Sequence, residues 1–424
     1  MPADRSIQLL IVVSLSVLFA TSCQPAASSS GLMAGASVKN ITPAAGVFIA
    51  GHGYGRQATG IHDPLYAKAL VVSDGHKNLT IVSIDCIGLL HPALVEIRKA
   101  VAALLPGEID TAQMVMTSTH THSGPDVVGL WGAHALSSGV DSIYMEKLVQ
   151  LSAEAVVEAW SNRKAATIRY GLGQHGEGWV HNISNPEAVD RSLQVIWFTD
   201  AAGRSIATLT NFACHPTIMD AATSLFSADY LQGLYTHLDE KLGGVNLFLQ
   251  GAIGGWVQPE HEEKTFAVAE QRGIEIGTRI EELLAEAASM NAPVIQYRRR
   301  YISLPVTNAG FLALSKAGVI PRQISDSVVT EIAWFSIGDA SFATHPGETT
   351  PVHGLQTKAL MKNNGPRMVI GLGMDALGYI LSEEFLTTTP PLPHTEYLLS
   401  MSIHPQAGSL LMQRIKELAA DGQN

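Results

Sequence analysis

From residue 65 to the end of the chain, short runs rich in β-branched residues alternate with amphipathic helical patterns, and nothing resembling a linker interrupts them. That alternation is the strongest constraint on the fold, because strands and helices interleaved in sequence must layer against one another. The strand-like runs are 65–73, 79–85, 113–118, 167–172, 193–198, 206–213, 245–249, 294–304 and 331–337, each bounded by turn residues. The helical patterns are 92–105, 142–160, 230–242, 265–288 and 408–419. There is no internal repeat, low-complexity block or Pro/Ser-rich divider after residue 30. The expectation is one large mixed, multi-layer α/β domain over residues 35–424, preceded by a linker at 24–34.

At 424 residues, 46% hydrophobic and 15% charged, the chain is long enough for a substantial core. Net charge is −11, and the only basic run is Arg298-Arg299-Arg300, so the footprint of a nucleic-acid binder is missing. That triplet falls in a strand pattern and reads as a polar face or a salt-bridge set. Residues 1–23 read as an export signal: Arg5 precedes an apolar stretch from Leu9 to Ala20, too short for a stable bilayer span. Leu18-Phe19-Ala20-Thr21-Ser22-Cys23 resembles the lipobox of bacterial lipoproteins, so Cys23 is expected to carry lipid and tether the exported chain to a membrane. An ordinary signal peptide cut nearby is the alternative. Cys86 and Cys214 both sit in apolar strand contexts and are expected as buried free thiols, with a disulfide between them as the other possibility.

The chemistry is concentrated at strand ends. Gln113 to Ser118 runs into Thr119-His120-Thr121-His122-Ser123-Gly124-Pro125, where Gly-Pro stops the strand. In extended chain, residues i and i+2 leave on one face, so His120 and His122 are expected to point into one site just past the strand, where α/β proteins gather ligands. Read blandly, the pair is two half-exposed histidines in a turn. The placement repeats at Ala213-Cys214-His215-Pro216, where His215 is either a ligand or a packed, capping histidine. A third strand end, Thr344-His345-Pro346-Gly347-Glu348, is expected to place Glu348 at the opening of a helix, where the helix dipole alone would also favour it. A glycine-rich stretch, Gly371 to Gly378, then presents Tyr379, either as a phenol in a site or as a packing residue.

Histidines, a carboxylate and one more oxygen donor suit Zn²⁺ with a position open to water, which is acidified toward neutral pH and becomes a nucleophile. H-E-x-x-H, G-x-S-x-G, the Walker loop and a post-strand G-x-G-x-x-G are all missing. Metal-assisted hydrolysis remains.

The order of these motifs resembles the neutral/alkaline non-lysosomal ceramidases from about Gly35 onward. Ile49-Ala50-Gly51-His52-Gly53-Tyr54-Gly55-Arg56-Gln57 with Gly60-Ile61-His62 is similar to the family's opening loop, and His120 to Pro125 to its most specific signature. The resemblance implies that His120, His215, Glu348 and Tyr379 hold zinc, that His122 lies beside the metal and polarises the substrate or stabilises the transition state, and that the substrate is an N-acyl lipid such as ceramide; Tyr379 and His122 are the expected catalytic donors to the developing oxyanion. Departures accompany it. The family's Gly-Asp-Val-Ser-Pro segment is replaced here by Gln250-Gly251-Ala252-Ile253-Gly254-Gly255-Trp256-Val257, without the serine or aspartate. An arginine expected near Asn182 is absent, and the chain ends at Asn424 without the family's immunoglobulin-like domain. Gly254, Gly255 and Trp256 are expected to border the substrate. Three functions therefore stand: a zinc amidase or esterase, a metal-dependent carbohydrate or peptide hydrolase, and a non-catalytic surface lipoprotein with an inherited site. Trp131, Trp179 and Trp256 read as core or cleft wall.

Overall fold

The computed structural model describes Met1 and residues 31–421, apart from residue 262 and residues 291–292. The export and lipobox segment, with Cys23, lies outside the described residues. No described helix is long and apolar enough to cross a membrane.

A nine-stranded mixed sheet forms the frame. Its path runs Val245–Gln250, Ser205–Phe212, Ser192–Asp200, Lys164–Gln174, Met33–Asn40, Tyr66–Ser73, Asn78–Ile84 and Met114–Ser118, and Ala288–Met290 pairs beside it with Lys164–Gln174. Only the first and last pairs on that path are parallel. Side chains alternate between two cores, as the period of a strand requires. Ala69 and Val71 face the helices His91–Leu104 and Ser142–Ser161. Leu70 and Val72 face inward, and with Ile196, Phe198 and Leu247 they bury against a four-stranded second sheet through Phe335, Phe342 and Met368.

The large sheet is rolled until its ends meet. Lys68 Nζ donates to Asn246 O at 2.9 Å and Ser83 Oγ to Phe248 O at 2.5 Å, although Val245–Gln250 stands at the opposite edge from Met114–Ser118. This closure positions the site. In a flat sheet the strands carrying His120 and His215 would be six spacings apart, roughly 29 Å at about 4.8 Å each. Their ring centroids are 4.9 Å apart.

The elements expected from sequence are present, with ends shifted by up to a few residues. The helix expected to 288 is Phe266–Ala285, because Ala288–Met290 is taken up by edge pairing with Lys164–Gln174 despite good helical propensity. Met33–Asn40 begins inside the stretch read as linker and occupies the middle of the sheet; its small residues lack the β-branched signature. The arginine triplet is a salt-bridge set in part: Arg299 pairs with Glu331 at 3.3 Å and Arg300 with Glu417 at 2.9 Å. Cys86 and Cys214 are buried free thiols.

Candidate metal centre

His120 does not leave from extended strand. The strand ends at Ser118, and His120 takes φ of 70°, a left-handed conformation that a non-glycine residue adopts only where its surroundings enforce it. Its amide donates to Cys86 O at 2.9 Å and its Nδ1 lies 2.5 Å from Ile87 O. The expected i, i+2 geometry therefore fails, and a turn locked to the 86–87 backbone brings the rings of His120 and His122 to 4.8 Å instead. Backbone carbonyl contacts fix His215 as well, since its amide donates to Val257 O at 2.8 Å and its Nδ1 to the same oxygen at 2.7 Å.

Glu348 does not open a helix. Glu348–Thr349 forms a two-residue parallel pairing with Tyr379–Ile380, in register Glu348 to Tyr379, and the helix starts later at Pro351. Backbone pairing thus sets the two oxygen donors side by side. Glu348 Oε2 lies 3.5 Å from His120 Nε2 and 3.2 Å from His215 Nε2. Burial works to raise the carboxyl, but charge and hydrogen bonds from His120 and His215 in their protonated form outweigh it and hold Glu348 down to about 2. Burial drives the His215 ring below the usual imidazole range against the pull of Glu348, and pushes His122 well below it with help from His120 and His52. The Tyr379 phenol is raised well above its ordinary value, by burial first and then by Glu348. It accepts from Trp256 Nε1 at 2.8 Å, which leaves its own proton free to donate.

The donor set fits a metal ion. A carbonyl oxygen only accepts, so both Nδ1 atoms carry protons, and in the neutral rings the Nε2 lone pairs of His120 and His215 point at the Glu348 carboxylate. Lone pairs that converge in this way call for a cation between them, a proton or a metal ion. Ligand atoms about 2.0–2.1 Å from a tetrahedral zinc lie roughly 3.3–3.4 Å from one another, and the observed 3.2 and 3.5 Å bracket that spacing. His120, His122 and His215 also form a cluster with potential ligand atoms all within 4.8 Å. His122 differs from the other two: its Nδ1 meets His52 Nε2 at 3.2 Å and its buried Nε2 has no partner among the described residues.

Gln250, which carries no recognisable chemistry in the sequence, bridges the two histidine-bearing turns. Its buried Nε2 donates to Thr119 O at 3.1 Å and Cys214 O at 2.9 Å, the residues just before His120 and His215. A polar amide closing an apolar strand between two histidine strand ends was the available signal. Gly254 backs Glu348 so closely that a Cβ there would lie 2.2 Å from the Glu348 carbonyl oxygen. Gly255 borders Asn182 and Ser184, and Trp256 packs on His394 and Tyr397. None of Gly254, Gly255 and Trp256 is in the wall of the cavity that holds His120, His122, Glu348 and Tyr379. That cavity measures about 850 Å³ with its open mouth, and its other walls include Ile87, Leu130, Trp131, Phe311, Leu377 and Ile403. Trp179 is core. Arg322 also lines the cavity, but its charge is spent on a buried pair with Asp375 at 2.7 Å.

The family model for the N-terminal part of neutral/alkaline non-lysosomal ceramidase matches residues 32–246, a span that contains His120, His122 and His215 but not Glu348 or Tyr379. A stretch of 217 residues is 26% identical to the neutral ceramidase of Pseudomonas aeruginosa, covering 47% of this chain and 32% of that protein. Neutral ceramidase A of Dictyostelium discoideum is 29% identical over 230 residues, 49% of this chain and 31% of the relative. The aligned part thus spans about a third of each of these relatives' length. The crystal structure of the Pseudomonas aeruginosa neutral ceramidase superposes with a TM-score of 0.74 at 20% identity, covering 92% of this chain and 74% of that one, a likeness of fold.

Proposed function

The chain belongs to the neutral/alkaline non-lysosomal ceramidase family, and from that premise we propose that it is a metal-dependent hydrolase cleaving the amide bond of an N-acyl lipid, with ceramide the first candidate and zinc the first candidate metal. The observation that carries this reading is the convergence of His120 Nε2, His215 Nε2 and Glu348 Oε2 beside an apolar cavity. His120, His215, Glu348 and Tyr379 would hold the ion. When bound, a zinc-type cation supplies Lewis acidity and a nucleophile derived from water at neutral pH.

This chain's own residues do the rest. The buried Tyr379 hydroxyl, oriented by Trp256, and His122 face the same cavity and serve as donors to a carbonyl oxygen as charge develops on it. Such a donor is worth roughly 3–4 kcal/mol of transition-state stabilisation in other hydrolases. Leu130, Trp131, Phe311 and Ile403 exclude water and accept hydrocarbon. A cavity so apolar in its walls disfavours a glycan or peptide substrate. The missing family serine makes an ester or a simpler amide the second reading, because the Gln250 to Val257 stretch carries bridging and packing residues in its place. Export, with Cys23 as a lipid anchor, belongs to the same proposal.

The test is to purify the protein, measure bound metal, and assay holo and chelated forms on a fluorogenic N-acyl sphingosine beside simple amides, esters and glycans. Chelator-sensitive amide cleavage supports the reading; metal retained without turnover on any amide or ester points to a binding protein.

A further inference from the structure

His122 stands in the three-histidine cluster, yet its hydrogen bonds set it apart. His52 Nε2 lies 2.7 Å from Asp220 Oδ1. A carboxylate flanked by His52 and Lys264 only accepts, so the His52 nitrogen carries the proton. The same nitrogen lies 3.2 Å from His122 Nδ1. Two N–H groups facing each other at that distance would repel, so His122 Nδ1 is bare and the proton of the neutral ring sits on Nε2. His120 and His215 are the reverse, with Nδ1 protons on carbonyl oxygens and Nε2 lone pairs free.

We infer that Asp220 and His52 are a positioning pair that holds His122 as its Nε2–H tautomer, making it a hydrogen-bond donor toward the reacting oxygen and not a third metal ligand. The inference rests on the metal reading of His120, His215 and Glu348 and extends it to residues with no assigned role. The surrounding backbone is built for the arrangement. Gly51, at φ of 103°, lies so close to His122 that a Cβ would sit 2.6 Å from the ring, so only glycine leaves room for the imidazole in this position. Asp220 itself is left-handed, at φ of 47°. Arg56 ties the two loops together, donating to His52 O at 3.3 Å and to Thr223 O at 3.0 Å. The buried His122 Nε2 has no partner among the described residues, as expected of an N–H reserved for a ligand.

Zinc-loaded full-length protein labelled with ¹⁵N-histidine tests this by imidazole ¹H–¹⁵N correlation, with no substrate present. The expected spectrum has His120 and His215 protonated on Nδ1 and metallated on Nε2, and His122 protonated on Nε2. His52→Phe removes the N–H that sets the tautomer and is expected to mix the His122 tautomers and lower kcat by roughly 10–100-fold, with KM and zinc affinity each held within about threefold. Asp220→Asn, which suits a left-handed backbone, is expected to move both readouts the same way by less. Lys264→Met, which removes only the neighbouring charge, is expected to leave the tautomer in place. His122→Gln is expected to keep one zinc per chain. A His122 found protonated on Nδ1, or zinc lost on His122→Gln, overturns the inference. Because the spectrum needs no turnover, a protein inactive on N-acyl lipids would sink the proposed substrate and leave the tautomer result readable.

Discussion

Gln250→Met isolates the device that spaces the two histidine-bearing turns. The substitution conserves the volume of a side chain with no exposure and deletes its amide. Gln250 Oε1 accepts from Cys214 N at 3.3 Å and Gly251 N at 3.1 Å, and Nε2 donates to Thr119 O and Cys214 O. Two of these four groups keep other partners: Gly251 N donates to Phe212 O, and Cys214 O accepts from the Tyr230 hydroxyl. Thr119 O and Cys214 N are left buried without a replacement. At roughly 1–3 kcal/mol for each orphaned group, the variant should lose about 2–6 kcal/mol of stability. Since Thr119 and Cys214 directly precede His120 and His215, the loss should also loosen the spacing of the ligands. Zinc affinity is expected to fall about 10–100-fold. Urea unfolding, read as a shift of the midpoint at constant m-value, measures the first effect, and competition with a chromophoric chelator measures the second. A variant within about 0.5 kcal/mol of the parent, roughly the noise of surface substitutions, and unchanged in zinc affinity would refute the bridging argument.

His120→Ala and His215→Ala should each abolish metal binding together with activity, and an active, metal-free variant of either would defeat the functional proposal. Gly254→Ala should cut activity strongly at nearly unchanged global fold, because the new methyl group meets the Glu348 carbonyl oxygen at 2.2 Å and must displace that strand; circular dichroism beside turnover checks both halves. Burial lowers His345 to about 3 and His353 to about 4, so both stay neutral in the folded protein while the unfolded chain takes up protons below about 6.5. Their contribution to stability is complete above that pH and is lost as pH falls toward 4 and 3. Two protons give a limiting slope of roughly 2.7 kcal/mol per pH unit, and a His353→Leu variant should show a shallower decline in urea midpoint between pH 6.5 and 4 than the parent. Arg322→Met strands the buried Asp375 carboxylate behind the cavity wall, and breaking such a buried pair costs about 3–5 kcal/mol, measurable by the same unfolding assay.

Element types were legible because burial imposes periodicity: Leu70 and Val72 against Ala69 and Val71 mark a strand with two covered faces. Where propensity and tertiary pairing disagree, pairing wins, as in the turn from helix to edge strand at Ala288–Met290. The candidate residues His120, His215, Glu348 and Tyr379 were legible as donor-bearing residues at strand ends and in a glycine-rich segment. Their geometry was not. The left-handed backbone at His120 and the register of Glu348 with Tyr379 depend on carbonyl and amide partners from distant segments, 86–87 and 378 among them. Nor were Gln250, His52 and Asp220 assignable, because each acts on a histidine across a gap of many residues.

The sequence by itself determined the class of fold, the types of element and the stock of donor-bearing side chains, since these follow from local periodicity and from the chemistry of each residue. Only the tertiary structure decided which donors meet. Rolling the sheet brings strands from opposite ends of its order together, and the backbone carbonyls that receive each Nδ1 proton decide which histidine lone pairs remain for a metal. Those partners are long-range contacts, and no local pattern encodes them.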